Sequence, residues 1–328
     1  MRLEITRVEG QRNDLTLRLE RAEIERALLS VAHREALRQL PGMVRHRPAS
    51  EVEQQGIADS KIPIEDHLRA LAITDEEGRA QRRAVAISNR NLGTNPGHVA
   101  WQRSESPRAF RIAEDPVSGV RSCLVAWRSG DLSIEDLRFD FEADRLLLEG
   151  ESREVSDDIE WATYGQRVLT GGAVARIDDL IGRFYDARHL LAFDHQRDQG
   201  ERIRQDIYRG YPEHFEDNVR AAWLAGVPRS RYFHNAIGLS ADALFIVQRE
   251  GTVEEIGAAL HDAGADDGII LDNGGSIVCW VWWANLYAGG IVSPTVDYRP
   301  PGTSAIAFVL KGPLNVDLPG GSVAYSAY

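Results

Sequence analysis

The sequence predicts short β-strands interleaved with a few amphipathic helices, in one large domain or two modest ones. Three observations carry this prediction. Apolar residues alternate at a spacing of two in many short runs, a few stretches switch to the helical spacing of three and four, and Gly, Pro, Asn and Asp mark the boundaries. The 328 residues are 43% apolar and 27% charged, which excludes a disordered, collagen-like or coiled-coil chain.

Taken in order, Leu3, Ile5 and Val8, then Leu15, Leu17 and Leu19, predict two strands joined by a turn over residues 11–14. Residues 20–40 change to a helical period, with Ile24, Ala27, Leu28, Val31 and Ala32 on one face and Pro41-Gly42 as the stop, and predict a helix. A polar loop follows, then a short helix through His67, Leu68, Leu71 and Ala72. The apolar run at residues 84–87 predicts a strand that breaks into a loop dense in turn formers over residues 88–97. Residues 108–148 supply short alternating runs, among them 122–127 and 137–147, and predict meandering strands.

From residue 174 to about 226 the pattern turns helical, with Ile177, Leu180, Ile181, Phe184 and Tyr185 on one stripe and a break at residues 210–212. Residues 236–239 and 243–247 predict strands, 253–263 a helix and 268–271 another strand. Thr252 and Glu255 are placed for an N-terminal capping box, and Gly264 for the C-terminal cap. The most apolar tract, residues 277–292, is interrupted by Asn285 and by Gly289-Gly290. It falls short of the roughly 20 residues of a membrane span and predicts buried strands.

The net charge of −12, with no basic patch, argues against nucleic acid or an anionic membrane surface as partner and leaves a small molecule. Cys123 and Cys279 form no CxxC pair, and charges occupy the N-terminus where a signal peptide needs its apolar stretch, so a cytoplasmic location is expected. The chain has no GxxxxGK[ST], HExxH, GxSxG or strand-linked GxGxxG. The nine histidines are scattered, without a close pair at metal-ligand spacing. Neither an organic cofactor nor a metal is expected.

Residues 266–276, reading Asp-Asp-Gly-Ile-Ile-Leu-Asp-Asn-Gly-Gly-Ser, carry the strongest chemical signal. An apolar strand stops at the carboxylate of Asp272, two glycines then allow close backbone approach, and the Ser276 hydroxyl follows. A tight turn in which Asp272 caps backbone amides is the structural alternative. Beyond it, alternation puts Trp280 and Trp282 on one face and Trp283 on the other, as core or as an apolar wall for a substrate.

The succession His234-Asn-Ala-Ile-Gly, a strand, the capped helix, Ile270-Leu-Asp-Asn-Gly-Gly-Ser, an apolar hairpin and Tyr298-Arg-Pro-Pro-Gly-Thr-Ser-Ala-Ile-Ala-Phe-Val-Leu resembles the phosphodiester glycosidase family over residues 233–312. Weaker echoes lie at residues 84–97, in place of the family's Asn-Gly-Gly segment, and at 164–174. The resemblance implies an α+β fold, a mixed β-sheet domain with flanking helices over residues 80–328, with a helical insertion at about 176–230 and an N-terminal strand-helix extension over 1–79. That extension either completes the core or pairs two subunits as a homodimer. The chain departs from the family pattern at three places. His234 stands for the arginine of Arg-Thr-Ala-Ile-Gly, Asn235 for its threonine, and Asn273 for the first glycine of Asp-Gly-Gly-Gly-Ser.

The exchange of arginine for a histidine that can move protons near neutral pH points first to a cofactor-independent acid/base enzyme, dehydrating or cyclising a small molecule. His234 would move the proton, Asp272 would be its partner or a second base, and Asn273, Ser276 and Arg299 would hold developing negative charge. Asn235, Gly274, Gly275, Trp280, Trp282 and Arg231 would line the substrate. The alternative is the activity that the resemblance implies, hydrolysis of a sugar-1-phosphodiester with Asp272 as the acid/base or nucleophilic group. A non-catalytic small-molecule binding protein is the third reading.

Overall fold

The computed structural model describes residues 2–6, 14–31, 62–89, 99–105, 109–111, 120–140, 143–151, 153–176, 232–273, 277–283, 288–292 and 304–312. Within them the chain runs β1 (Arg2–Thr6), β2 (Asp14–Glu20), β3 (Ile24–Val31), α1 (Ile64–Ala70), β4 (Ala84–Ser88), β5 (Val99–Gln102), β6 (Ala109–Arg111), β7 (Val120–Trp127) and β8 (Leu132–Asp140). It continues with β9 (Arg145–Leu148), β10 (Arg153–Glu154), β11 (Ile159–Tyr164), β12 (Gln166–Thr170), β13 (Ala173–Val174), β14 (Tyr232–Leu239) and β15 (Ala243–Gly251). The last elements are α2 (Val253–Ala263), β16 (Asp267–Asn273), β17 (Cys279–Trp283), β18 (Ala288–Ile291) and β19 (Ser304–Leu310).

These strands form three sheets, in the orders β1-β2-β15-β14-β16-β12-β13, β10-β9-β8-β7-β11-β5-β6 and β18-β17-β4-β19-β3. Every strand pair among the described residues is antiparallel. The expected α+β class with flanking helices is therefore corrected to an essentially antiparallel β architecture, in which the described residues hold two α-helices. The physical reason is that the sheets cover one another. Residues Leu17, Ile246, Ile237 and Ile269 from the first sheet, Leu124 and Trp161 from the second and Val85 and Phe308 from the third meet in one central core, so sheet-on-sheet burial does the work expected of helices.

The two helices seal outer faces. α1 packs Ile64 and Leu68 on the outer face of the five-stranded sheet, against Ala86, Trp280, Trp282 and Ala307. α2 packs Ile256 and Leu260 on the outer face of the first sheet, against Ala236, Phe245, Val247 and Ile270. α2 follows the predicted signals closely. The Thr252 side chain accepts from the Glu255 amide, the Glu255 carboxylate accepts from the Thr252 amide, and Gly264 ends the helix at φ 104°. Val253, Ile256, Gly257 and Leu260 are its buried stripe. At Gly257 a Cβ would lie 2.6 Å from the Val168 carbonyl oxygen, so only glycine lets the helix approach β12 this closely.

The helix predicted over residues 20–40 is also corrected. Residues 21–23 form a single 3-10 turn and 24–31 form β3, which pairs along β19 from Ile24↔Leu310 to Val31↔Ser304; residues 32–40 lie outside those described. A strand covered on both sides explains the misleading pattern. Ala27 and Leu29 enter the central core while Leu28 packs toward α1, so apolar residues fall at consecutive positions that imitate a helical stripe. β2 likewise pairs with β15, from Ala243↔Glu20 to Gln248↔Leu15, so strands from the first 31 residues belong to the same sheets as the later ones. The predicted helical region 174–226 lies outside the described residues beyond Arg176. The predicted strands at 84–87, 122–127, 236–239, 243–247 and 268–271 are all present.

Candidate functional site

One row of side chains crosses the inner face of the first sheet near the ends of β14 and β16. Register places Leu15 opposite Gln248, Gln248 opposite Asn235, and Asn235 opposite Asp272. Directly paired residues of antiparallel strands point to the same side, so three polar side chains stand beside a leucine of the core. A β-bulge makes this arrangement. Asn235 pairs with Asp272 but Ala236 pairs with Ile270, so Leu271 is the extra residue and Asp272 turns inward instead of following the alternation outward.

The amides are buried and held. Asn235 and Gln248 are both 0% exposed and Asp272 is 7% exposed. Asn235 Nδ2 donates to the Ser88 carbonyl oxygen at 2.7 Å, and Gln248 Nε2 donates to Asn235 Oδ1 at 3.0 Å and to the Val278 carbonyl oxygen at 3.2 Å. These bonds tie the first sheet to the five-stranded sheet, where the Val278 amide donates to Ser88 Oγ at 3.1 Å and the Ser88 amide to the Val278 carbonyl at 3.0 Å. Asn89 extends the network, with Nδ2 donating to Thr163 Oγ1 at 2.9 Å and its backbone amide to the Ser304 carbonyl at 3.0 Å. Strands from all three sheets thus converge on one polar cluster at an edge of the apolar core.

Burying this much polar surface costs free energy that ordinary core packing avoids, and each amide left without a partner would cost about 1–3 kcal/mol. Interlocked bonds limit that cost and fix the side chains. Beside them, Asp272 is a carboxylate set in a mostly water-free environment, a group suited to holding or transferring a proton or to attacking an electrophilic carbon.

His234 stands on the opposite face of the same strand. It pairs with Asn273, shares the outer face with Ala236 and Val247, and directs Nε2–H to the Gly251 carbonyl oxygen at 3.1 Å, just before α2 begins. The ring is 3% exposed. That bond fixes the ring's orientation on the outer face. The register therefore brings Asn235 to Asp272 and leaves His234 and Asp272 on different sides of the first sheet.

Trp280 and Trp282 are 4% and 2% exposed and pack together against α1. Their common face is as predicted and is filled by protein. The Arg83 guanidinium lies 5.1 Å from the Trp282 ring centre, a cation–π contact. Val281 and Cys279, alternating with them, enter the central core. The Asn273 side chain and all of Gly274, Gly275, Ser276, Arg231 and Arg299 lie outside the described residues. Among the described residues, no group of three His, Cys, Asp or Glu side chains is arranged to hold a metal, and no helix is long and apolar enough to cross a membrane. Burial pushes the Cys279 thiol up to about 12 and the Cys123 thiol still higher, so neither is a thiolate nucleophile near neutral pH.

Sequence reasoning missed Ser88, Asn89, Thr163 and Gln248. A signal existed for two of them. Gln248 falls at an inward position of the Leu244, Ile246 alternation, and Asn89 at the inward position after Val85 and Ile87; a polar residue on a core stripe is the anomaly to look for.

No protein-family model matches this chain, and no curated protein matches it. Solved structures do. The catalytic domain of the zebrafish N-acetylglucosamine-1-phosphodiester α-N-acetylglucosaminidase, auto-inhibited by its pro-peptide, is 13% identical with a TM-score of 0.49, over 94% of this chain and 82% of that one. A hypothetical protein from Synechocystis is 12% identical with a TM-score of 0.36, over 94% of this chain and 61% of that one. A candidate exported protein from Burkholderia pseudomallei K96243 is 12% identical with a TM-score of 0.40, over 92% and 74%. At these values the likeness says nothing of this chain's chemistry.

Proposed function

We propose that this chain is a hydrolase of sugar-1-phosphodiesters, with Asp272 as the acid/base or nucleophilic group. The observation that carries the reading is the inward turn of Asp272 at the Leu271 bulge, beside amides whose hydrogen bonds are already committed. The sequence resemblance of residues 233–312 to phosphodiester glycosidases supports the same bond type. Water adds across the linkage between sugar and phosphate, the sugar leaves with a hydroxyl and the phosphate leaves as a monoester. Asn235 and Gln248 position Asp272 through the shared row. Arg299 and Arg231 are the cations proposed to meet the phosphate, because a guanidinium presents a fixed fork of donors to its oxygens.

Among the described residues, this reading asks only Asp272 to exchange a proton or form a bond with the substrate. Dehydration or cyclisation by His234 and Asp272 together asks two side chains on opposite faces of one sheet to reach one substrate, and gains no support from this geometry. The test is release of reducing sugar from a panel of hexose and N-acetylhexosamine 1-phosphodiesters. Wild-type protein is expected to release sugar, and Asp272→Asn to lose roughly 100- to 10,000-fold in turnover with its melting temperature preserved. Wild-type protein that releases no sugar from any of them, or a variant as fast as wild type, overturns the reading.

A further inference from the structure

We propose that Asn89 is a substrate-binding residue whose side-chain carbonyl oxygen accepts a hydrogen bond from one hydroxyl of the sugar. The inference rests on the hydrolase reading and adds to it the group that selects the sugar.

Asn89 follows Val85 and Ile87 on the inward side of the β4 stripe and is 0% exposed. Two bonds fix it. The Nδ2 group donates to Thr163 Oγ1 at 2.9 Å, and the backbone amide donates to the Ser304 carbonyl oxygen at 3.0 Å. With the amide held in this way, Oδ1 is fully buried and meets no donor among the described residues. Such an acceptor is an expense to folding, and one retained on a core stripe calls for an explanation by function.

Its position supplies one. Ser88, the preceding residue, receives the Asn235 amide, and Asn235 is the cross-strand partner of Asp272. Asn89 is thus the chain neighbour of the residue that holds Asn235, and Asn235 in turn stands opposite the buried carboxylate. The chemistry of the acceptor then selects the part of the substrate. A phosphodiester carries no hydrogen at neutral pH and would be repelled by a carbonyl oxygen and a carboxylate, whereas a sugar hydroxyl brings the missing donor. The sugar end of the substrate, not the phosphate end, belongs beside Asn89.

The experiment measures kcat/KM for a methyl phosphodiester of a hexose 1-phosphate and for its 2-, 3-, 4- and 6-deoxy forms, with wild type, Asn89→Ala, Asn89→Ser and Asn89→Asp, each checked by its melting curve. Deleting the hydroxyl that meets Oδ1 is expected to cost wild type roughly 10- to 100-fold, because the buried acceptor is again left alone. In Asn89→Ala, or in Asn89→Ser if the alanine variant does not fold, that preference collapses to within about two-fold. Asn89→Asp keeps an oxygen at the same place and keeps the preference even if its overall rate falls. A wild type indifferent to every deletion overturns the inference, as does a preference that persists in the alanine or serine variant; in both cases the hydrolase reading stands. Wild-type protein that cleaves neither these compounds nor any member of the hexose and N-acetylhexosamine panel overturns both.

Discussion

The ladder between β14 and β16 has two halves that differ in kind. From Ala236 to Leu239 it pairs with residues 267–270, and its side chains join the central core inward or the α2 cluster outward. From His234 to Asn235, one bulge further on, it pairs with Asp272 and Asn273 and its side chains are polar. The first half is held by burial, the second by named hydrogen bonds. The bulge at Leu271 is what separates them. It sends Asp272 inward to Asn235 and leaves His234 outward against the Gly251 carbonyl, so two adjacent polar residues on one strand acquire unrelated surroundings.

The comparison breaks most visibly in the apolar half. Ile237→Ala removes a fully buried side chain from the central core and is expected to cost about 2–5 kcal/mol in urea unfolding, while the fraction still folded keeps its rate per molecule. Gly257→Ala attacks the outer support of the same half. The added Cβ meets the Val168 carbonyl at 2.6 Å, so a loss of about 1–3 kcal/mol is expected despite alanine's better helix propensity. Calorimetry that found the alanine variant more stable would show that α2 is free to shift away from β12.

The polar half responds differently. Gln248→Leu leaves Asn235 Oδ1 and the Val278 carbonyl without this donor, an expected loss of about 1–3 kcal/mol. Activity should fall as well, because Asn235 loses the bond that fixes it beside Asp272. A variant that lost stability and kept full kcat would show that the amides serve folding alone.

The smallest expected effect is one of pH. Burial raises the Asp14 carboxyl above the usual carboxylate value, and the Arg249 guanidinium 3.6 Å away offsets this only in part. The folded chain therefore keeps that proton to a higher pH than the unfolded chain does, and stability declines as pH rises between the two values. Asp14→Asn removes this slope and should gain up to about 0.5 kcal/mol at neutral pH. Chemical unfolding measured at acid and neutral pH decides it, and defines the background against which any acid limb in activity is read.

Much of this fold was legible in the sequence where one face of an element is polar. The alternation of Leu15, Leu17 and Leu19 and the capped helix after Thr252 are read directly from residue order. β3 was not legible, because both of its faces are covered and its apolar residues no longer mark a period. Asp272 could be found as the point where an apolar strand stops. Its neighbourhood could not, since Ser88 and Asn235 lie 147 residues apart and Asn89 and Thr163 lie 74 apart, and no local pattern reports such a meeting. The pairing of His234 with Asp272, which looked natural from the motif, turned on a single bulged residue that the sequence does not announce. The common face of Trp280 and Trp282 followed from strand alternation, but the helix that covers it did not.

The measurement that tests the central claim most directly sets Asp272→Asn beside His234→Gln on one sugar-1-phosphodiester, with melting curves for both. Glutamine can still donate to the Gly251 carbonyl, so the outer face is preserved as far as one substitution allows. The account predicts a loss of roughly 100- to 10,000-fold for Asp272→Asn and a change within about three-fold for His234→Gln. A collapse of activity in a well-folded His234→Gln protein, with Asp272→Asn retaining its rate, would contradict it and move the chemistry to the other face of the sheet.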